Sequence, residues 1–210
     1  MINVILADDH VLFREGIKKI LSDTDDIVVT DEVGNGQTLI NKVHKDACDV
    51  ILLDISMPGR SGLDVLKQLM CEKPDLNVLA LSMHSEEEYA ERMLQAGASG
   101  YLVKQCTPNE LITAIRKVSS GRKYVSSTLA ERLASRFSKK SDKVLHERLS
   151  DREFEIMCLI ASGKPIKEIA EELSLSSKTV STHRAHILEK MGMKHNSELM
   201  HYALQNHFVD

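Results

Sequence analysis

The chain has 210 residues, 42% of them apolar and 28% charged, and a net charge of −4. That is enough for one large or two small domains of an ordinary soluble protein, and it excludes disordered and collagen-like classes. The first residues carry no basic segment, their apolar run stops at Asp8, and no stretch is long enough to cross a bilayer, so neither a signal peptide nor a membrane span is expected.

Charge is unevenly spread. Residues 1–121 hold 12 Lys and Arg against 19 Asp and Glu, residues 122–145 hold 7 against 2, and residues 146–210 hold 8 against 10. The acidic first half suits a carboxylate site. The basic middle could touch phosphates or be a solvated linker, and charge alone favours the linker. Cys48, Cys71, Cys106 and Cys158 form no Cys-x-x-Cys and read as reduced thiols in the cytoplasm.

In chain order, strands are expected at Asn3–Ala7, Ile27–Glu32, Val50–Leu53, Val78–Leu81 and Gly100–Val103. Helices are expected near Val11–Ser22, Gln37–Lys45, Gly62–Glu72, Glu86–Ala96 and Pro108–Ser120. Ser85-Glu86-Glu87-Glu88 and Thr107-Pro108-Asn109-Glu110 have capping-box spacing, and Gly97 and Gly121 fall at helix stops. Five β-α units imply an α/β fold, doubly wound, with a parallel sheet covered on both faces. Residues 122–147 lose the pattern and form a linker, with a short helix at Leu129–Phe137 before a polar connector, Ser138–Lys143. From residue 148 the period is helical throughout. Ser150-Asp151-Arg152-Glu153 caps a helix to about Ser162, and helices at Ile166–Leu173, Ser177–Met191 and Asn196–Gln205 follow. Two helices joined by a tight turn at Ser174-Leu175-Ser176 make the helix-turn-helix pattern in a small all-α domain.

The chemistry concentrates at strand ends. The run Val50–Leu53 stops at Asp54, and Met57-Pro58-Gly59 turns the chain. An aspartate closing a strand is by itself more often a cap. Here a second strand also ends in carboxylates, Asp8 and Asp9. Three carboxylates on one rim repel each other unless a divalent cation lies among them, and oxygen ligands suit Mg²⁺. Ser82 and Lys104 end the fourth and fifth strands, with Tyr101 three residues before Lys104.

Asp8-Asp9-His10, Asp54 in Leu-Leu-Asp-Ile-Ser-Met-Pro-Gly, Ser82 in Leu-Ser-Met-His, and Gly100-Tyr101-Leu102-Val103-Lys104 together resemble the receiver domain of two-component response regulators, over residues 1–121. The resemblance implies a flavodoxin-like (βα)5 fold in which Asp54 accepts a phosphoryl group from a sensor histidine kinase. It implies Mg²⁺ on Asp9, Asp54 and the Ser56 carbonyl, with Asp8 acting through water. Lys104 would pair with the phosphoryl oxygens. Ser82 and Tyr101 would form the switch, and Ser56 and His84 would tune dephosphorylation. Met83 is bulky where many receivers have a small residue, and Gln105 stands where proline is frequent.

A second resemblance covers roughly residues 148–205, in a domain expected over 148–210. Leu149-Ser150-Asp151-Arg152-Glu153, Lys167-Glu168-Ile169-Ala170, Leu175–His183, Ile187 and Lys190-Met191 are similar to the DNA-binding domain of LuxR-type regulators. The pair of domains points to the NarL/FixJ family, and within it to the GacA/UvrY type. Val180, Ile187 and Met191 have core spacing on the second helix of the motif. The opposite face shows Lys178, Ser181, Thr182, Ala185 and Glu189. Ser181, Thr182 and Ala185 can meet base edges, while Lys178, Arg184 and Lys190 would meet phosphates. Ser181 stands where relatives often carry lysine, and Ile166 where asparagine is usual. The last helix offers Leu199, Met200, Ala203 and Leu204 to the core or to a dimer.

The implied function is transcription control: Asp54 phosphorylation governs dimerisation and operator binding. The partners implied are the kinase, double-stranded DNA, a second copy and RNA polymerase. An enzyme is not expected, any hydrolysis of the acyl phosphate being slow. Two rivals remain open here. One is a regulator acting through protein contacts without phosphorylation. The other is an Mg²⁺-dependent aspartyl phosphatase, for which Ile55-Ser56 offers no second acid.

Overall fold

The computed structural model describes residues 1–57, 60–83, 88–127, 129–131, 145–206 and 208–209, in two units, Met1–Ala130 and Glu131–Asp210. In the first unit strands and helices alternate: β1 Ile2–Ala7, α1 Val11–Ser22, β2 Ile27–Val33, α2 Gly36–Lys45, β3 Val50–Asp54, α3 Gly62–Glu72, β4 Val78–Ser82, α4 Glu88–Gln95, β5 Gly100–Val103 and α5 Pro108–Ser119. The expected Pro58-Gly59 turn, the Ser85 capping box, His84, the linker helix beyond Glu131 and the connector Ser138–Lys143 lie outside the described residues.

The sheet order is β2-β1-β3-β4-β5, and every pairing is parallel. The central strands β3 and β4 are buried at every residue, whereas the edge strand β2 alternates. This is why Val50–Leu53 and Val78–Leu81 read as unbroken apolar runs. Helix starts follow their caps. Asn35 accepts the Thr38 amide, Ser61 accepts the Asp64 amide, and Thr107 and Glu110 close a capping box with Pro108 at the first helical position. The order reverses between β1 and β3. In doubly wound sheets such a reversal opens a crevice at the carboxyl ends of the strands.

The sheet does not end at β5. The Tyr124 amide donates to Ser99 O at 2.9 Å, and the Tyr101 amide donates to Tyr124 O at 3.2 Å. Tyr124 thus forms a parallel bridge with Gly100. Lys123 Nζ adds a bond to Ala98 O at 2.9 Å, and the Lys117 ammonium lies 5.6 Å from the Tyr124 ring centre. The segment after α5, basic in sequence, starts as an ordered partner of the sheet edge. Gly100 permits this approach, because a Cβ there would lie 2.7 Å from Tyr124 O and 2.9 Å from Leu79 Cδ1.

The second unit has a 3-10 turn, Leu145–Arg148, then α6 Asp151–Ala161, α7 Ile166–Glu172, α8 Ser177–Met191 and α9 Asn196–Gln205. Its core includes Phe154, Ile169, Val180, Ile187, Leu199 and Ala203, all 4% exposed or less. His146 is buried with its Nδ1 2.7 Å from the Tyr202 hydroxyl and its ring 4.8 Å from that of Phe208. Ser150 and Glu153 form the expected capping box, and Glu153 also holds Lys190 Nζ at 2.6 Å. No described helix is long and apolar enough to cross a membrane.

Two outcomes follow from these contacts. Gly100→Ala should destabilise the first unit by about 1–3 kcal/mol, since backbone on one side and Leu79 on the other leave the methyl no room. Amide exchange at Tyr101 and Tyr124 should quicken, and thermal unfolding measures the loss. Burial pushes the Glu153 pKa up, but Lys190 and Ser150 outweigh it and hold the pKa below the ordinary 4.5. The unfolded chain therefore takes up the proton first. This contribution to stability is complete above about pH 5 and is lost as pH falls through 4.5 and below. Lys190→Met should cost about 1–2 kcal/mol at neutral pH, the half-exposed ammonium keeping the figure low, and should flatten that acid dependence. Amide exchange in α6 and α8 across pH 3–7 checks both.

Candidate functional site

Parallel register decides which side chains meet. Ala7 pairs with Leu53, Asp54 with Leu81, and Ser82 with Val103. Asp8, Asp9, Asp54, Ser82 and Lys104 therefore share one rim, the carboxyl end of the sheet. Asp8, Asp54 and Ser82 are fully buried there, Asp9 is half-buried, and Tyr101 is fully buried on β5.

Lys104 Nζ lies 2.8 Å from Asp54 Oδ2 and 2.7 Å from Asp8 Oδ2, with its side chain only 4% exposed. The Ser56 amide donates to the other Asp54 oxygen at 3.1 Å, and the Lys104 amide donates to Ser82 O at 2.6 Å. Burial pushes the Asp54 pKa up, Lys104 pulls it down and the Asp8 charge raises it again, leaving it above the usual carboxylate range.

Ligand atoms of Asp8, Asp9, His10 and Asp54 all lie within 4.8 Å of one another. Asp8 Oδ2 and Asp9 Oδ1 are buried oxygens without a hydrogen bond. Asp8 Oδ2 meets Lys104 as an ion pair outside hydrogen-bond angles, and Asp9 Oδ1 meets the exposed His10 Nδ1 at 2.8 Å. Carboxylate oxygens with unfilled lone pairs, close-set and partly buried, fit a hard divalent cation such as Mg²⁺.

His10, part of the Asp8-Asp9-His10 motif but given no ligand role from sequence, enters the cluster, its amide donating to Asp8 Oδ1 at 2.8 Å. Other contributors lie outside the motif read from sequence. Arg14 Nη1 donates to the Asp8 carbonyl at 2.7 Å and its Nε pairs with Glu32 at 3.3 Å, clamping the loop after β1. The Phe13 ring centre lies 4.7 Å from Lys104 Nζ. Gly62 lets α3 start against the end of β3, since a Cβ would lie 2.5 Å from Asp54 O. Phe13 and Arg14 fall in the first turn of the helix after the acidic strand end.

In the second unit α7 and α8 meet through a turn in which Ser174 has φ 53°, the Leu175 amide donates to Ala170 O at 2.8 Å, and Ser176 caps α8. Val180, Ile187, Leu188 and Met191 are buried, whereas Lys178, Ser181, Thr182, Ala185, Glu189 and Lys190 are exposed. Ser181 Oγ bonds Ser177 O at 2.8 Å and Thr182 Oγ1 bonds Lys178 O at 3.0 Å. Arg184, half-buried, holds Asn196 Oδ1 at 2.6 Å, and Lys190 holds Glu153. The cations expected to meet phosphates are thus of two kinds, Lys178 at the open start of the helix and two that brace the domain. Burial, with Arg152, His186 and Lys190 nearby, lowers the His183 pKa against the pull of Glu153. On α9, Leu199 and Ala203 are core, while Met200 and Leu204 face outward at 37% and 45% exposure.

Comparison with known proteins agrees with both halves. A model of the response regulator receiver domain matches residues 4–116, and one of the bacterial regulatory proteins of the luxR family matches residues 147–203. The chain is 38% identical over 207 residues to the response regulator UvrY of Escherichia coli K12, covering 98% of this chain and 95% of that protein. It resembles RcsB of Salmonella enterica serovar Typhimurium bound to promoter rprA in the presence of phosphomimetic BeF3⁻, with TM-score 0.67, 29% identity and coverage of 96% and 97%. It also resembles the structure of two RcsB dimers bound to two parallel DNAs, with TM-score 0.60, 29% identity and 98% of both chains covered. The chain belongs to the NarL/FixJ family of two-component response regulators, a receiver domain joined to a LuxR-type helix-turn-helix domain.

Proposed function

We propose that this chain is a cytoplasmic transcription regulator controlled by phosphorylation of Asp54 from a sensor histidine kinase. The division is receiver 1–121, linker 122–147 and DNA-binding domain 148–210. The observation that carries the reading is the Lys104 ammonium between two fully buried carboxylates, Asp54 and Asp8. A buried charge set of this kind is costly as mere structure and useful for receiving an anion.

In the transfer an Asp54 carboxylate oxygen forms a bond to phosphorus. The phosphorus–nitrogen bond to the kinase histidine breaks, and its electron pair stays on the imidazole. Asp8, Asp9, Asp54 and the Ser56 carbonyl would hold Mg²⁺, which when bound neutralises carboxylate and phosphoryl charge. Lys104, losing the Asp54 carboxylate as its partner, pairs with the phosphoryl oxygens. The Ser56 amide donates to the group on Asp54. Ser82, tied by its carbonyl to the Lys104 amide, turns its hydroxyl to the phosphoryl. Tyr101, buried on the strand beside Ser82, follows that change, and its amide bond to Tyr124 passes it into the linker.

The output is dimerisation through the outward face of α9 and binding of α8 to the major groove of an operator, with RNA polymerase as the further partner. The solved RcsB complexes with DNA, one on promoter rprA with a phosphomimetic and one of two dimers on two parallel DNAs, support this reading. Ser181, Thr182 and Ala185 read bases. Lys178 meets phosphate directly, and Arg184 and Lys190 reach phosphate from their positions beside Asn196 and Glu153.

Labelling by a phosphorylated histidine kinase in Mg²⁺ should be stoichiometric, abolished by Asp54→Asn and by EDTA, and slowed about 10²-fold by Lys104→Ala. Sustained turnover of the donor would mean a phosphatase instead. Unchanged operator binding and transcription in Asp54→Asn would mean control by protein contacts. On DNA, Lys178→Ala should weaken binding to all sequences alike and reduce the slope of log affinity against log salt by about 1. Filter binding over a salt series measures it.

A further inference from the structure

The position of the Lys104 ammonium is not explained by its carboxylates alone. Phosphorylation removes Asp54 as a charged partner at the moment when Lys104 must meet the phosphoryl oxygens. Asp8 stays charged, but it also belongs to the cluster that would hold Mg²⁺, so a partner outside the carboxylate set is needed to keep the ammonium on line. The Phe13 ring, from the first turn of α1, has its centre 4.7 Å from Lys104 Nζ. That is within the range at which an ammonium is drawn to the negative face of an aromatic ring, and the attraction grows when the cation is desolvated. The Lys104 side chain is 4% exposed. Behind the pair lies a small cavity of about 40 Å³, with Phe13, Ile17, Ile20, Leu81 and Leu111 in its wall beside Lys104. Thr107, its hydroxyl turned to Glu110, and Cys106 are the polar members of that wall; the rest is apolar, and the ring face meets the cation there. Phe13 itself is fixed by packing against the core of the first unit.

We propose that Phe13 is a positioning residue for phosphoryl transfer, its ring face holding the Lys104 ammonium on line between Asp8 and Asp54. This rests on Asp54 being the phosphoacceptor. The benefit is largest in the transition state, when charge moves from the Asp54 carboxylate onto the phosphoryl oxygens and the ammonium must move with it without swinging into the cavity.

The test replaces Phe13 in the full chain with mono-, di- and trifluorophenylalanine by nonsense suppression. Fluorine drains the negative face while nearly preserving ring size. The logarithm of the transfer rate constant from a saturating phosphohistidine donor should fall linearly with fluorination, by roughly 3- to 10-fold across the series. The donor KM and the melting temperature should stay flat. Phe13→Leu should be as slow as the trifluoro variant, and Phe13→Tyr should retain most of the rate. A rate that ignores fluorination, or a Phe13→Leu chain as fast as the parent, overturns the proposal and leaves the ring a filler. A second measurement does not need phosphorylation. Ring current should move the Lys104 ε-methylene protons upfield in the parent, and Phe13→Leu should abolish that shift; protons at ordinary positions in the parent would also overturn it. If the parent is not labelled on Asp54 although the shift is present, the phosphoacceptor reading has failed, not the contact.

Discussion

The Lys104 ammonium reaches two buried carboxylates only because three strands end level with each other. β1 delivers Asp8, β3 delivers Asp54 and β5 delivers Lys104, and the register between β1 and β3, β3 and β4, and β4 and β5 places all three on one rim. A slip of one residue in any pairing would turn the side chain to the other face. The apolar runs that make up β3 and β4 therefore do more than fill a core. Their burial on both faces pins the register, and the register sets the distances of 2.7 and 2.8 Å around the ammonium. Asp8 and Asp54 repel each other, so the cation is also what makes the two aspartates tolerable in one dry site.

Asp54, Asp8 and Lys104 were legible in the sequence because each announces itself locally. An apolar run that stops at a charge marks the end of a buried strand, and parallel strands put such ends together. The helix starts after Thr107 and Ser150 were legible for the same reason, since their capping boxes act within four residues, whereas the caps at Asn35 and Ser61 emerged from the structure. Phe13, Arg14 and Gly62 were not legible. Phe13 and Arg14 read as ordinary members of an amphipathic helix, and their work is done across the loop, on Lys104 and on the Asp8 carbonyl. Gly62 reads as the first residue of a helix, yet what requires it is the approach of the Asp54 carbonyl. Such needs are tertiary and leave no spacing rule behind.

In the second unit one acid serves two purposes. Glu153 closes the capping box of α6 and holds Lys190 on α8. The first use is written in the sequence as a Ser-x-x-Glu spacing. The second is not, because residues 37 apart carry no periodic signal. A cation in such a bond is presented to its surroundings at a fixed place with part of its charge compensated. Arg184, bonded to the neutral amide of Asn196, is likewise fixed in place, but that bond leaves its charge uncompensated. The pairing of Lys190 with Glu153 offsets part of the positive field around α8, to which Lys178, exposed at the helix start, contributes in full. Small polar side chains on the exposed face become correspondingly more important to how closely a partner can approach.

The segment after α5 shows where a charge argument misleads. Its lysines and arginines suggest solvent, but main-chain atoms decide where it begins. Tyr124 bonds Ser99 and Tyr101, and Lys123 bonds the Ala98 carbonyl. Tyr101 is thereby tied on one side to β4 through the ladder and on the other to the outgoing chain. Each net hydrogen bond is worth about 1 kcal/mol. The coupling between sites that an allosteric switch needs is about 1–3 kcal/mol. Making or loosening two or three such bonds is on that scale, so a shift at Tyr101 would meet the segment around Tyr124 without a long relay of side chains. It has only to alter the fit of one strand edge against the chain that already lies along it.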